Sequence, residues 1–244
     1  MKKLVFLCVL GLAFAAAAPA LAQFEFGGGD FAVSKSQDMQ SATTREQIAL
    51  IYHRLAGRLP NWKEMASKTD EYLKASEFEK ESVLEAKVTS LRNNFQLVSF
   101  DDKVIVKMPV TLSTYSMRNK GFIINELGEN LNFKYNYGGR DYALIPLGIA
   151  DQQWIDASDD KVAATIEAAR PKTNAYTLII SVAANYADPP ERTTELEDGK
   201  LYNILTGPVV HVTLYDEAGK TYLWDNKRKE VTDPVGENLL KLKQ

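Results

Sequence analysis

Near Phe95 the spacing of apolar residues changes from steps of three and four to steps of two. The first spacing lines side chains along one stripe of a helix and the second along one face of a strand, so the chain must build both. A helical block followed by a strand-rich stretch defines an α+β fold. The expected form is N-terminal helices packed against an antiparallel β-sheet or β-sandwich, with one further helix between strands.

Upstream of the change, Thr43 has Glu46 three residues on, the spacing of a capping box, and Ile48, Ile51, Tyr52, Leu55 and Leu59 then share one face until Pro60 stops the helix. Asn61 with Glu64 starts a second helix carrying Trp62, Met65, Thr69, Tyr72 and Leu73. Ser76 with Glu79 starts a third, leading into Leu84, Val88, Leu91 and Phe95. Residues 44–94 are therefore expected to form three helices.

Downstream, β-branched and aromatic residues dominate residues 96–100, 103–115, 121–125, 131–137 and 142–145. Turns at Asp101-Asp102 and Gly138-Gly139-Arg140 would join adjacent antiparallel strands. Ser158 is the expected cap of the intervening helix, with Asp159 and Asp160 against its positive end, Val162, Ile166 and Ala169 on its apolar face and Pro171 beyond it. Residues 176–188 make the clearest strand: Tyr176, Leu178, Ile180, Val182, Ala184 and Tyr186 share one face, and Ile179 and Ala183 make the other partly apolar. That pattern places it centrally, covered on both sides. After a loop opened by Pro189-Pro190 come a strand over 200–206, a break at Gly207-Pro208, and a hairpin of 209–215 with 220–225 turned at Gly219.

The two ends of the chain read differently. Lys2 and Lys3, the uncharged apolar residues 4–18 and Ala20-Leu21-Ala22 have the three parts of a secretory signal. Cleavage after Ala22 is expected, giving an exported, periplasmic or secreted protein. Residues 23–43, with Gly27-Gly28-Gly29, read as a flexible leader, residues 95–230 as a strand-rich region forming one domain with 44–94, and residues 231–244 as a charged tail. Because Cys8 lies in the signal, a cysteine-free working chain is expected, without disulfide or thiol chemistry. No other apolar run reaches the roughly 18 residues of a membrane span. Net charge is −3 with both signs interspersed, which argues against nucleic acid as a partner.

Chemistry-bearing motifs are sparse. His53 has no second ligand at the helical spacing of four and His211 none at the strand spacing of two, so both read as structural, and neither a metal nor a cofactor is expected. There is no Gly-x-Ser-x-Gly elbow, and no catalytic residue is assigned. The acids at Asp101-Asp102, Asp159-Asp160, Glu195, Glu197 and Asp198 read as turn and cap residues, and Trp62, Trp154 and Trp224 as core anchors. The candidate binding face is the hairpin carrying Tyr135, Tyr137 and Tyr142 with Arg140 at its tip, since such rings add contact area at low entropic cost. The competing reading is that the tyrosines cover the core and Arg140 is a solvated turn residue.

The function expected from these features is a non-catalytic interaction, assembly or binding module of the bacterial envelope, meeting an envelope protein through the loops or an edge of its sheet. The alternatives are a periplasmic hydrolase of carbohydrate or peptide using carboxylates around residues 101, 141 and 188–198, and a small-ligand carrier with an apolar cavity. The oligomeric state is left open.

Overall fold

A computed structural model describes residues 42–226. The signal reading of 1–22, most of the leader and the charged tail lie outside the described residues. The expected cysteine-free chain is corrected: the sequence holds one cysteine, Cys8, and its loss was inferred only from a cleavage pattern outside the described residues.

The helical block consists of α1 (Arg45–Leu55), α2 (Trp62–Ala66), α3 (Asp70–Lys74) and α4 (Lys80–Leu97). The strand-rich part runs β1 (Val104–Thr111), β2 (Gly121–Ile123), β3 (Phe133–Tyr137), β4 (Arg140–Leu147), β5 (Trp154–Asp156), α5 (Asp160–Ala168), β6 (Ala175–Val182), β7 (Tyr186–Ala187), β8 (Thr194–Glu195), β9 (Leu201–Tyr215) and β10 (Tyr222–Asp225). The α+β class stands, with a curled sheet and α5 between strands.

Several boundaries move, each for a local reason. The capping box of α1 is Thr44 with Gln47, not Thr43 with Glu46: the Thr44 hydroxyl accepts from the Gln47 amide at 3.2 Å, and the Gln47 side chain accepts the Thr44 amide at 2.8 Å. Thr43 is occupied instead with Ile105 of β1, donating its amide to the Ile105 carbonyl at 2.9 Å and accepting the Ile105 amide at 2.8 Å. The helix ends at Leu55, before Pro60, where Gly57 takes a φ of 65°. The second expected helix divides into α2 and α3, with Ser67 ending the first and the Thr69 hydroxyl donating back to the Ala66 carbonyl. The expected strand at 96–100 is the end of α4 plus a turn, because the Leu91 and Phe95 stripe carries the helix on and Asp102 accepts the Ser99 amide at 2.7 Å. Asp159, not Ser158, caps α5 by accepting the Lys161 amide.

In the main path of the sheet the order is β1-β6-β9-β4-β3, with β7, β8 and β10 also paired to β9. The expected break at Gly207-Pro208 is a change of partner within one continuous strand. The first part of β9 lies between β4 and the short strands β7 and β8, and the second part between β6 and β10. Pro208 falls opposite Leu147, the last residue of β4, so its missing N–H interrupts little of that ladder. The β4–β9 pair is parallel, against the expectation of antiparallel neighbours. The chain between them includes β5, α5 and β6, ample length for a crossover.

One hydrophobic cluster joins helices and sheet. Tyr176, Leu178, Ile180 and Val182 of β6 enter it from one face, while Ile179 and Ser181 are buried on the other, so β6 is covered on both sides as expected. The strand ends at Val182, not at residue 188, because pairing passes to the short β7, on which Tyr186 is half exposed. α1 runs through the middle, with every residue from Ile48 to His53 buried between the sheet and α4. At about 1.5–3 kcal/mol for each fully buried large apolar side chain, Ile48, Leu50 and Ile51 tie the helices to the sheet. Among the described residues no helix is long and apolar enough to cross a membrane.

Candidate functional site

Because the sheet curls, the two strands that end its main path, β1 and β3, come to face one another without pairing. Between them is a cavity of about 400 Å³ lined by Val106 and Lys107 on one side and Asn132, Phe133, Lys134 and Tyr135 on the other. Strand alternation sorts these side chains. Val106, Phe133 and Tyr135 point to the core cluster and form an apolar floor. Lys107 and Lys134 stand on the outer face and form a cationic rim. Lys134 is held by Asp198, its ammonium 2.9 Å from the carboxylate and over the Tyr202 ring. Lys107 lies within ion-pair range of no carboxylate among the described residues.

The sequence candidates fall on the hairpin whose first strand lines this groove. Gly138 and Gly139, both at positive φ, make the two-residue turn that pairs Tyr137 with Arg140 and Tyr135 with Tyr142. Tyr135, Tyr137 and Tyr142 do share a face, and it is the one turned to the core and α1. Tyr142 is wholly buried, 5.3 Å from the Tyr52 ring and 6.3 Å from the His53 ring, with its hydroxyl 3.4 Å from His53 Nε2. Tyr52 donates its hydroxyl to the Asp188 carbonyl at 2.7 Å; burial, then the Asp188 charge, push its pKa up to about 12. Tyr137 and Tyr135 are half-buried, and of the hairpin candidates Tyr135 alone lines the cavity.

Tyr137 reaches a polar centre that sequence reasoning missed. The Glu46 carboxylate accepts from Tyr137 at 2.5 Å, Asn94 at 2.7 Å and Lys87 at 2.9 Å, so one side chain of α1 ties α4 to β3. Burial raises the Glu46 pKa, and the three donors more than offset it, leaving it below the ordinary carboxylate value. This carboxylate stays ionised in the fold and its donors stay committed, an arrangement that fixes helices on sheet.

His53 has the opposite chemistry. Burial, then the Arg140 guanidinium, hold its pKa down at about 4. The unfolded chain takes up a proton near pH 6.5 that the fold refuses until about pH 4. Stability is therefore fully present above pH 6.5 and falls as pH is lowered through that window, by on the order of 2–3 kcal/mol. Urea unfolding at pH 7.5 and pH 4.5 should show that loss, and His53→Gln should flatten it; an unchanged slope in the variant would assign the effect to other groups.

Three of the acids that a hydrolase would draw on are engaged locally. Asp141 accepts from Asn136 at 2.7 Å, Asp188 from Tyr186 and Thr194, and Asp198 from Tyr202 and Lys134. His211 pairs with Asp225 at 3.5 Å. Among the described residues no three His, Cys, Asp or Glu side chains are grouped to hold a metal. Trp62 packs on Phe95, Trp224 packs against the core, and Trp154 lies over Gly121. The lining residues Val106, Lys107, Asn132, Phe133 and Lys134 carried no motif; the one signal was Pro109, a residue that marks a sheet edge. Compared with protein-family models, with curated proteins and with solved structures, the chain gives no match.

Proposed function

We propose that this chain works outside the cytoplasm of a bacterial cell as a non-catalytic interaction module that holds an envelope protein in the groove between β1 and β3. The observation carrying the reading is that the two end strands of the sheet path border one open cavity instead of closing on each other. Beyond Ile105, where Thr43 takes the outward groups, the described residues leave the edge of β1 open at Lys107 and Pro109. Such an edge offers backbone donors and acceptors to another chain, and proteins that do not use one block it. Lys2, Lys3, the apolar run after them and Ala20-Leu21-Ala22 support export. A second reading, a small-ligand carrier, is favoured by the cavity volume and the apolar floor of Val106, Phe133 and Tyr135.

The test places a photo-crosslinking amino acid at Asn132 in the full chain, with the exposed Glu81 on α4 as control position. One envelope protein attached reproducibly from Asn132 and not from Glu81, and capturing this chain in return, is the expected result. Equal labelling from both positions would sink the reading. A small apolar molecule retained through purification and crosslinked at Asn132 would favour the carrier.

A further inference from the structure

Hydrogen-bond direction along the two groove strands can be read from their partners. In β1 the amide and carbonyl of Ile105 are both taken by Thr43, on the side away from β6. Backbone direction in an antiparallel ladder repeats every two residues, so Lys107 and Pro109 also turn their backbone groups outward. Proline at that register agrees, since it has no N–H to lose from the β6 ladder. In β3, the two-residue turn makes Tyr137 and Arg140 a bonded pair, and Tyr135–Tyr142 and Phe133–Leu144 follow. The groups of Lys134 and Asn136 then face outward. Lys107 and Lys134 thus present peptide groups to the same cavity from opposite sides.

We infer that this groove is a strand-addition site for an extended segment of the partner protein in which acidic residues alternate with apolar ones; the inference rests on the groove being the docking site. The room fits a short insertion. At roughly 3.3 Å of rise, 4.8 Å of strand spacing and 10 Å of depth, the cavity takes about two to three extended residues. The side-chain chemistry follows from the pleat. A residue opposite Lys107 projects to the same outer face, where a carboxylate meets an ammonium that no acid among the described residues pairs. Its neighbours in sequence project inward, onto Val106, Phe133 and Tyr135. The demand for an acid falls chiefly at Lys107, because Asp198 already serves Lys134.

Fluorescence anisotropy with a labelled octapeptide alternating glutamate and valine tests this on the full chain. Micromolar binding that weakens with salt is expected. Lys107→Gln should weaken it about fivefold by removing the charge. Lys107→Pro should weaken it several-fold further by also removing the outward N–H, while the β6 ladder is untouched; circular dichroism checks that both variants remain folded. The same octapeptide with lysine for glutamate, or with alternate amides N-methylated, should not bind. Equal binding by either control peptide, or equal affinity of the Gln and Pro variants, overturns strand addition. Self-association of the full chain that Lys107→Glu abolishes, or displacement of the peptide by a fatty acid alone, also overturns it in favour of a different occupant. If the octapeptide fails to bind while Asn132 still crosslinks one envelope protein, strand addition fails and the docking reading stands; if both fail, both fall.

Discussion

Tyr142→Ala should lower the unfolding free energy by about 3–5 kcal/mol, the range for removing a large ring from a packed core. Tyr142 is fully buried, near the start of β4 between Tyr135 of β3 and Asn203 of β9. Its ring packs edge-on to both Tyr52 and His53 of α1, so truncation opens a void where the central helix meets the sheet. Neighbours pinned in a helix and a ladder can close only part of that void. Tyr142→Phe keeps the ring and removes a long hydroxyl contact, so it should cost about 1 kcal/mol or less. Urea titrations of both variants at pH 7.5 measure the difference. Because the ring has no exposed surface, the groove partner should still bind Tyr142→Phe. A loss below about 1 kcal/mol for the alanine variant would mean the aromatic cluster does not bear on stability as its geometry indicates.

Gly207→Ala should be nearly as damaging, at about 3 kcal/mol or more. A β-carbon at Gly207 would lie 2.1 Å from the Ala183 carbonyl oxygen and 2.6 Å from its carbon. Both are backbone atoms, so no side chain can swing aside. They are also held from both directions: Ala183 donates to the Pro208 carbonyl and Asn185 to the Thr206 carbonyl, each at 3.0 Å. Admitting one methyl group requires spreading two strands at the point where β9 passes from its β7 partner to β6. For a domain of this size the melting temperature should fall by about 10 °C. Gly128 has open space around its missing side chain and is the control, with Gly128→Ala close to neutral. Equal melting of the two variants would show that the crossing at Ala183 is loose.

What could be read in the sequence was whatever local rules govern. The stripe of Leu91 and Phe95 survives, the glycine turn survives with Arg140 moved into the strand, and the alternation expected over 176–188 holds as far as Val182, because helix faces and pleats depend on neighbours a few residues apart. The capping box slipped by one residue because Thr43 is claimed by Ile105, far along the chain. Gly207-Pro208 reads as a break, yet the strand continues because Ala183 needs the space that glycine leaves. The tyrosine hairpin could be located but its facing could not, since Tyr137 turns inward toward Glu46, a residue 91 positions away. The groove was the least visible feature. It exists only because β1 and β3, ordinary strands by themselves, are brought opposite each other by the curl of the sheet.

β9 is the strand on which five others among the described residues depend: β4, β6, β7, β8 and β10. Four of those five precede it in the chain. A polypeptide emerging from the ribosome therefore has β4, β6, β7 and β8 made before the strand that joins them, and most of its sheet waits for Leu201–Tyr215. Pairings of such long separation form slowly, and until they form the waiting strands have open edges that favour aggregation. The order of elements leaves the strands that β9 joins without their shared partner until Leu201–Tyr215 is made, although β1 with β6 and β3 with β4 can pair earlier, so a chaperone acting during synthesis would meet the sheet in separate parts.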